Sequence, residues 1–240
     1  SIGALGAFSN IDGEPSMFVF GSLNAMMGGP AFFVVKGISA GFGYNRNLIL
    51  PTPDMVPDYP LVRGALDPTY FTDGSPATAL KKMAAFVPPK LGNYWLAAGV
   101  KFSSFELMES VALVAVKLGT RSEVSLIGTT TMKLPKKGAP YANLELGLVA
   151  VFTPDDGALK VNGKLTDNSW IIDKECRLTG EFAFYNWFSG TNEGDFVLSI
   201  GGYHPDYKRP SHYPAVQPLT LNWEVDSHTT VSGEAYFALT

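Results

Sequence analysis

Residues 141–152, YANLELGLVAVF, decide the fold class of this chain. Apolar side chains occupy every second position from Ala142 to Phe152, and a tyrosine, an asparagine and a glutamate occupy the alternate positions at its start. A repeat of two residues is the period of a β-strand that has a core side and a wetter side. We therefore expect a strand here, with Ala142, Leu148 and Phe152 turned toward the core.

The same alternation recurs along the chain, in residues 105–118, 123–134, 158–166, 177–188, 195–203, 219–227 and 229–240. Most segments between them are short and rich in Gly, Pro, Asn, Asp and Ser, the residue types of turns. Short links join antiparallel neighbours. We therefore predict a mainly β chain, an antiparallel meander of about ten or more strands. We expect one domain that spans residues 1–240.

Glycine positions predict the shape of this sheet. Gly163, Gly180 and Gly233 fall in phase with the residues that we expect on the core side of their strands. Glycine on the concave face of a strand lets a long sheet bend sharply. We therefore expect the meander to form a barrel or a strongly coiled sheet.

Residues 50–89 break the strand pattern. Prolines punctuate the first part, and Ser75 followed by Pro76 is a typical start of a short helix. Pro88 and Pro89 are a typical stop. We predict a small helical insertion in this segment and place it over one open end of the sheet.

The charge and the cysteine content of the chain indicate which partners and which cellular compartment to expect. The 240 residues include 18 Lys and Arg and 22 Asp and Glu, a formal charge of −4, so we expect no nucleic-acid partner. Cys176 is the single cysteine, so the chain cannot form an internal disulfide, and no Asn-x-Ser/Thr motif for N-glycosylation occurs. Both features favour a reducing, cytoplasmic compartment. The chain starts at Ser1 without a signal-like segment, and we expect a processed form or a piece of a longer chain.

An uncharged stretch, residues 15–35, has roughly the length that crosses a bilayer. Gly28, Gly29 and Pro30 interrupt its centre and are typical of a turn. We therefore predict two strands joined by a turn here, and no membrane partner.

Residues 37–41, GISAG, match the G-x-S-x-G pattern of a serine-hydrolase nucleophile elbow, in which Ser39 would be the nucleophile. That elbow requires a strand, a sharp turn and a helix. The residues that follow, FGYNRNLIL, have no helical period and include another glycine. A hydrolase is therefore the third choice of function, and we expect a protein that is not an enzyme and has no catalytic residue.

Residues 201–214, GGYHPDYKRPSHYP, hold two of the three histidines of the chain. His204, Asp206 and His212 belong to the residue types that bind divalent metals, but their spacing matches no ligand template and prolines intervene. The prolines also restrict the backbone, which lowers the entropic cost of holding the side chains in place. We expect a fixed polar rim on the β domain and no metal site.

Aromatic residues make up 12% of the chain, which suggests a pocket as well as a core. Aromatic rings with a few polar groups are how β proteins hold flat apolar ligands. We predict a binding protein for a small, flat, apolar or aromatic ligand, such as a pigment. The expected ligand-binding residues combine aromatic rings with histidine anchors: Trp187, Tyr203, His204, Tyr207, His212 and Tyr213.

The alternative function is a structural or self-assembling β module. In that case all aromatic residues belong to the core, and exposed strand edges pair with another copy of the chain to give a homo-oligomer. A protein without a bound small molecule would favour this alternative.

Four segments resemble a known family: FFVVKGISAGFGYNRNL (residues 32–48), YWLAAGVKFSSFELMESVALVAVKLG (94–119), LTGEFAFYNWFSG (178–190) and GGYHPDYKRPSHYP (201–214). They resemble an uncharacterised family of β-rich bacterial and fungal proteins that carries a domain-of-unknown-function label. The resemblance covers nearly the whole chain and implies no catalytic residue. A short chain of this type also looks like the pink chromoproteins of oyster-mushroom fruit bodies, which implies a small conjugated chromophore bound without catalysis.

Overall fold

The computed structural model describes residues 1–30, 32–72, 76–135 and 137–240. Across these residues, fifteen strands form one antiparallel sheet, as expected for a mainly β chain. The strands are Ile2–Ile11 (β1), Glu14–Gly28 (β2), Val34–Arg46 (β3), Pro89–Ser104 (β4), Met108–Leu118 (β5), Glu123–Leu134 (β6), Ala142–Thr153 (β7), Ala158–Leu165 (β8), Trp170–Ile171 (β9), Cys176–Thr179 (β10), Glu181–Trp187 (β11), Phe196–Ile200 (β12), Leu219–Asp226 (β13), Thr229–Ala235 (β14) and Phe237–Leu239 (β15).

The first eight strands form the predicted meander, because each pairs with the next one along the chain. The long insertion between β3 and β4 does not interrupt this order, and Ala40 of β3 lies opposite Ala98 of β4. In the uncharged stretch of residues 15–35, β2 and β3 pair as the expected antiparallel hairpin. No helix among the described residues is long and apolar enough to cross a membrane.

The simple meander ends at β8. The path then continues through β11 and β12 to β15, while β9, β10, β13 and β14 form a side branch. The branch begins on β7, where Asn143 lies opposite Trp170 of β9. The pairing of β12 with β15 places Ile200 opposite Phe237. This long-range pairing brings the end of the chain beside β12.

The sheet is not closed into a barrel. Within the described residues, β1 pairs with β2 alone and β15 with β12 alone, so both ends of the strand path are open. Barrels bury their core by closing the sheet on itself, whereas here the core is built by covering one face. The barrel form is therefore wrong, and the antiparallel, mainly β class is confirmed.

The helical insertion covers one face of the sheet. Two α-helices and two 3₁₀ turns lie against strands β1 to β8: Pro60–Leu66 (α1), Pro76–Phe86 (α2), Pro53–Asp58 and Pro68–Phe71. The expected helix start at Pro76 is confirmed, and the cap predicted at Ser75 lies outside the described residues. The insertion lies on a face and not over an open end, because its apolar side chains need a broad apolar surface to pack on.

The core lies between this helical layer and the sheet. Tyr59, Leu61 and Met83 of the insertion form one buried cluster with Phe18 of β2 and Trp95 of β4. Full burial of a large apolar side chain contributes about 1.5–3 kcal/mol to folding. The cluster therefore holds the insertion firmly on the sheet.

The face of β7 that meets the helical layer is the opposite of the predicted one. Gly147 and Val149 are buried, and a Cβ on Gly147 would lie 1.8 Å from the carbonyl oxygen of Pro53 in the insertion. Leu148 and Phe152 lie on the other face, where they are partly exposed. Both faces of β7 carry apolar side chains, so its alternation predicts a strand but does not tell which face is covered.

The same reversal applies to β8, where Gly163 lies opposite Leu148 on the uncovered face. The ring of Phe182 from β11 fills the space above this glycine, because a Cβ on Gly163 would lie 2.0 Å from the ring. Gly163 therefore accommodates an aromatic neighbour on the open face and does not mark the core side.

Candidate functional site

Residues 201–214 lie in the irregular segment between β12 and β13. Gly201 and Gly202 have φ angles of 72° and 97°, in the left-handed region that favours glycine. A Cβ on Gly201 would lie 2.3 Å from the carbonyl oxygen of Ala235, and its N–H donates to the carbonyl oxygen of Glu181 at 2.8 Å. The double glycine therefore lets the chain leave β12 in close contact with both β11 and β14.

Hydrogen bonds inside the loop join its two ends. The hydroxyl of Tyr203 donates to the carbonyl oxygen of Pro214 at 3.0 Å. The guanidinium of Arg209 donates to the carbonyl oxygen of Tyr213. The backbone N–H of Tyr213 donates to the carbonyl oxygen of Pro210 at 3.1 Å. These hydrogen bonds hold the side chain of Tyr203 and join the two ends of the loop.

Trp187 and Tyr213 form the buried layer of the site. Their rings stack with centroids 6.0 Å apart and planes 13° apart, and both side chains are buried together with Ala158 and Val197. His212 meets the ring of Trp187 edge to face, with 5.0 Å between ring centroids. The loop is thereby packed onto β11 and β12 through aromatic rings.

Asp195 ties two of these rings together. Its Oδ1 accepts a hydrogen bond from the hydroxyl of Tyr213 at 2.8 Å, and its Oδ2 lies 2.7 Å from Nε2 of His212. The hydrogen bond with His212, and then that from Tyr213, lower the pKa of Asp195 below its ordinary value. Burial, and then the bond to Asp195, raise the pKa of Tyr213 to about 12. Near neutral pH, Tyr213 is therefore the donor and Asp195 the charged acceptor.

Tyr203 and Tyr207 form a wall of an open cleft, here called the aromatic cleft. Their rings stack with centroids 5.6 Å apart and planes 16° apart. His204 meets Tyr236 edge to face at 5.9 Å. The cleft has a volume of about 430 Å³ and is lined by Tyr203, His204, Tyr207, Tyr236, Phe237, Ala238 and Thr240.

Tyr203 connects the aromatic cleft with the buried layer. Its side chain packs against the buried cluster of Trp187 and Tyr213, and burial raises the pKa of Tyr203. The six residues predicted from the sequence thus divide into two groups: Tyr203, His204 and Tyr207 in the aromatic cleft, and Trp187, His212 and Tyr213 in the buried layer or at its edge.

Sequence reasoning missed five residues of the site: Asp195, Tyr236, Phe237, Ala238 and Thr240. Tyr236 and Phe237 reach the aromatic cleft because β15 pairs with β12, and Asp195 precedes β12 in the turn that follows β11. One signal was present, since VSGEAYFA repeats the pattern of LTGEFAFY and places Phe237 where the first copy has Phe184. The repeat indicated a second strand with the pattern of residues 178–185, but it did not show that this part of the chain pairs with β12.

The two histidines of the loop have different partners. His212 lies on the carboxylate of Asp195, while Nδ1 of His204 accepts a hydrogen bond from the backbone N–H of Asp206 at 3.2 Å. Among the described residues, no group of three or more His, Cys, Asp or Glu side chains could hold a metal ion.

Ser39 lies in the middle of β3, opposite Gly99 of β4, and is buried. The strand continues to Arg46, so the sharp turn and helix of a nucleophile elbow do not follow Ser39. The glycine-rich motif around it is part of a sheet strand, as the absence of a helical period in the next residues predicts.

Comparison with known proteins gives one match. Residues 1–240 match the model of a family described as "Family of unknown function (DUF6603)". No curated protein and no solved structure matches the chain. The match confirms the resemblance to a domain-of-unknown-function family, and none of the comparisons supports the likeness to chromoproteins.

Proposed function

The chain belongs to this DUF6603 family of unknown function, and from its geometry we propose that it is a non-enzymatic binding protein for a small, flat, apolar or aromatic ligand. The proposed binding site is the aromatic cleft. The observation that carries the proposal is the stacked pair of Tyr203 and Tyr207 at a cavity of about 430 Å³.

The size and lining of the aromatic cleft support this function. Small-molecule sites measure about 300–1,000 Å³ and combine mainly apolar and aromatic walls with a few polar groups. A flat ligand placed against Tyr207 would extend the stack that Tyr203 begins. Each aromatic pair contributes about 0.5–1.5 kcal/mol beyond the burial of area.

The fixed shape of the loop also favours binding. The hydroxyl of Tyr203 is held by Pro214, and its ring rests on the cluster of Trp187 and Tyr213. Immobilising a free side chain on binding costs about 0.5–1.5 kcal/mol. Because Tyr203 is already held and the ring of Tyr207 stacks on it, a ligand placed against Tyr207 avoids part of this cost.

His204 is the polar anchor that we propose for the ligand. Its Nδ1 accepts the N–H of Asp206, and within the described residues its Nε2 has no hydrogen-bond partner. His212 was the other predicted anchor, but its Nε2 lies 2.7 Å from Asp195. We therefore assign His212 to holding the loop and His204 to the ligand.

A pigment is the ligand that we favour, because a conjugated molecule is flat and largely apolar. The proposal also keeps two expectations from the sequence. One is that the antiparallel sheet is strongly coiled. The other is a reducing, cytoplasmic compartment, in which the free thiol of Cys176 persists.

Titration with acridone, a neutral, flat and fluorescent tricyclic molecule, tests this proposal. We expect a saturable rise in fluorescence anisotropy with the natural protein. Tyr207→Ala and Tyr236→Ala each remove one ring of the aromatic cleft and are expected to raise the dissociation constant at least about tenfold, because about 1.4 kcal/mol of stacking and burial is lost.

Tyr141→Ala is the matched control for this titration. Tyr141 is an exposed tyrosine, as Tyr236 is, but it does not line the aromatic cleft. Its removal is expected to leave the dissociation constant unchanged. The absence of saturable binding, or equal binding by all these variants, would contradict the proposal.

A further inference from the structure

The face of the sheet opposite the helical layer, here called the outer face, is bare and apolar. In β3 to β7, its middle row consists of five side chains in register: Ala40, Ala98, Val114, Leu126 and Ala150. One flanking row consists of Phe42, Leu96, Val116, Val124 and Phe152. The other consists of Ile38, Val100, Ala112, Gly128 and Leu148. No residue of these rows carries a charge or a polar side chain.

The two faces of these strands differ in exposure. Leu96 and Ile38 on the outer face are 61% and 48% exposed, whereas Leu113 on the opposite face is 0% exposed. The middle row continues beyond β7 with Val161, Phe184 and other apolar side chains as far as β15. The bare surface therefore extends over the strand path, and nothing in the described structure covers it.

The outer face is large enough for a stable protein interface. Strands β1 to β8, about 4.8 Å apart, span roughly 38 Å, and three rows, each two residues of about 3.3 Å from the next, span roughly 20 Å. The product is roughly 760 Å². A stable complex of standard size buries about 800 Å² on each partner, and the largest apolar patch of a typical monomer is about 300–600 Å².

The middle row makes the outer face complementary to itself. Small residues, Ala40 and Ala98, leave a hollow over β3 and β4, and Val114 and Leu126 form a ridge over β5 and β6. A two-fold axis that runs along the strands between β4 and β5 exchanges the hollow and the ridge. Each ridge then enters the hollow of the other copy, and the same patch serves both subunits.

We propose that two copies of this chain pack outer face to outer face. The product is a dimer with four layers, in which two sheets about 10 Å apart lie between two helical layers. This arrangement differs from the pairing of strand edges that the sequence suggests, because it uses side chains and leaves the edges free. It does not depend on ligand binding in the aromatic cleft.

Sedimentation equilibrium of the natural protein over a range of concentrations is the first test. We expect a dimer that does not grow further. Leu126→Lys places a charge on the ridge and is expected to raise the dimer dissociation constant at least about thirtyfold, while the circular dichroism spectrum keeps its β shape. Met55→Lys is the matched control, because Met55 is exposed on the helical layer, and its dimer is expected to remain intact.

Cross-linking gives a second test that does not rely on the stability of a variant. In a mixture of Ala98→Cys and Val114→Cys chains, a short bismaleimide is expected to join one chain of each kind, because the two-fold axis places these positions opposite each other. A natural protein that stays monomeric, or larger assemblies that persist with Leu126→Lys, would overturn the proposal. Binding of the monomer to neutral phosphatidylcholine vesicles through this face would overturn it as well.

Discussion

The indole of Trp187 and the phenol of Tyr213 stack with their planes 13° apart, and the hydroxyl of Tyr213 donates to Asp195 at 2.8 Å. Trp187 ends β11, and Asp195 precedes β12, so a single tyrosine fixes the loop to two neighbouring strands. The same loop carries Tyr203 and Tyr207 of the aromatic cleft. The order of the cleft therefore depends on the buried layer beside it.

Tyr213→Phe is expected to lower the free energy of unfolding by about 1–2 kcal/mol, because Asp195 loses a donor while the stacked ring is kept. Urea denaturation measures this change. Tyr141→Phe, at an exposed tyrosine, is the control and is expected to change the free energy by less than about 0.5 kcal/mol. Equal effects of the two substitutions would show that the hydroxyl of Tyr213 has no structural role.

Low pH is expected to lower the free energy of unfolding through protonation of Asp195. Hydrogen bonds lower its pKa below the ordinary value of 3.8, so the folded state binds its proton less readily than the unfolded state. The resulting stabilisation is present above about pH 4 and is lost as the pH falls through the lowered value. We expect the difference in free energy of unfolding between the natural protein and Asp195→Asn to shrink below pH 4. A difference that stays constant would contradict this role.

High pH is expected to lower the free energy of unfolding through deprotonation of Tyr213, whose pKa is raised from 10.0 to about 12. The stabilisation from this protonated hydroxyl is present below about pH 10 and is lost as the pH rises toward 12. The ultraviolet absorbance of tyrosinate measures the titration. Burial also raises the pKa of Tyr59, so the difference between the natural protein and Tyr213→Phe is needed to isolate Tyr213. A difference in tyrosinate absorbance that titrates with a midpoint near pH 10 would contradict the raised pKa of Tyr213.

Gly201→Ala is expected to destabilise the protein by about 2 kcal/mol or more, because its Cβ would lie 2.3 Å from the carbonyl oxygen of Ala235. Gly194→Ala is the control. Gly194 also has a positive φ, of 84°, but a Cβ there meets nothing within 4 Å, so its cost of about 1–2 kcal/mol comes from the backbone alone. Thermal or urea unfolding that shows Gly194→Ala to be the more harmful change would contradict the tight contact.

The strands were predictable from the sequence, but the covered face was not. Alternation at β7 depends on local residues and shows a strand directly. Leu148 and Val149 are both apolar, however, so alternation could not show that Val149 faces the helices and Leu148 the outside. A rule that the apolar face is the core face fails when a sheet has an apolar outer face.

Part of the candidate site was predictable for a similar reason. Tyr203, His204 and Tyr207 lie within five residues of one proline-rich loop, which local composition can identify. Tyr236 and Phe237 join them through the pairing of β12 with β15, which no local pattern encodes. The residues that such a pairing brings to a site cannot be found without the topology of the sheet. The simple meander predicted β11 correctly as one neighbour of β12, but it predicted β13 in place of β15 as the other.

Analysis of protein purified from its source tests the central claim most directly. After exhaustive dialysis, the natural protein is denatured, and the extract is examined by absorption spectroscopy and mass spectrometry. We expect one small conjugated molecule in roughly equimolar amount, with absorbance beyond the band of the aromatic side chains, and its loss from a protein that carries Tyr207→Ala and Tyr236→Ala. A colourless protein whose extract contains no small molecule would contradict the account.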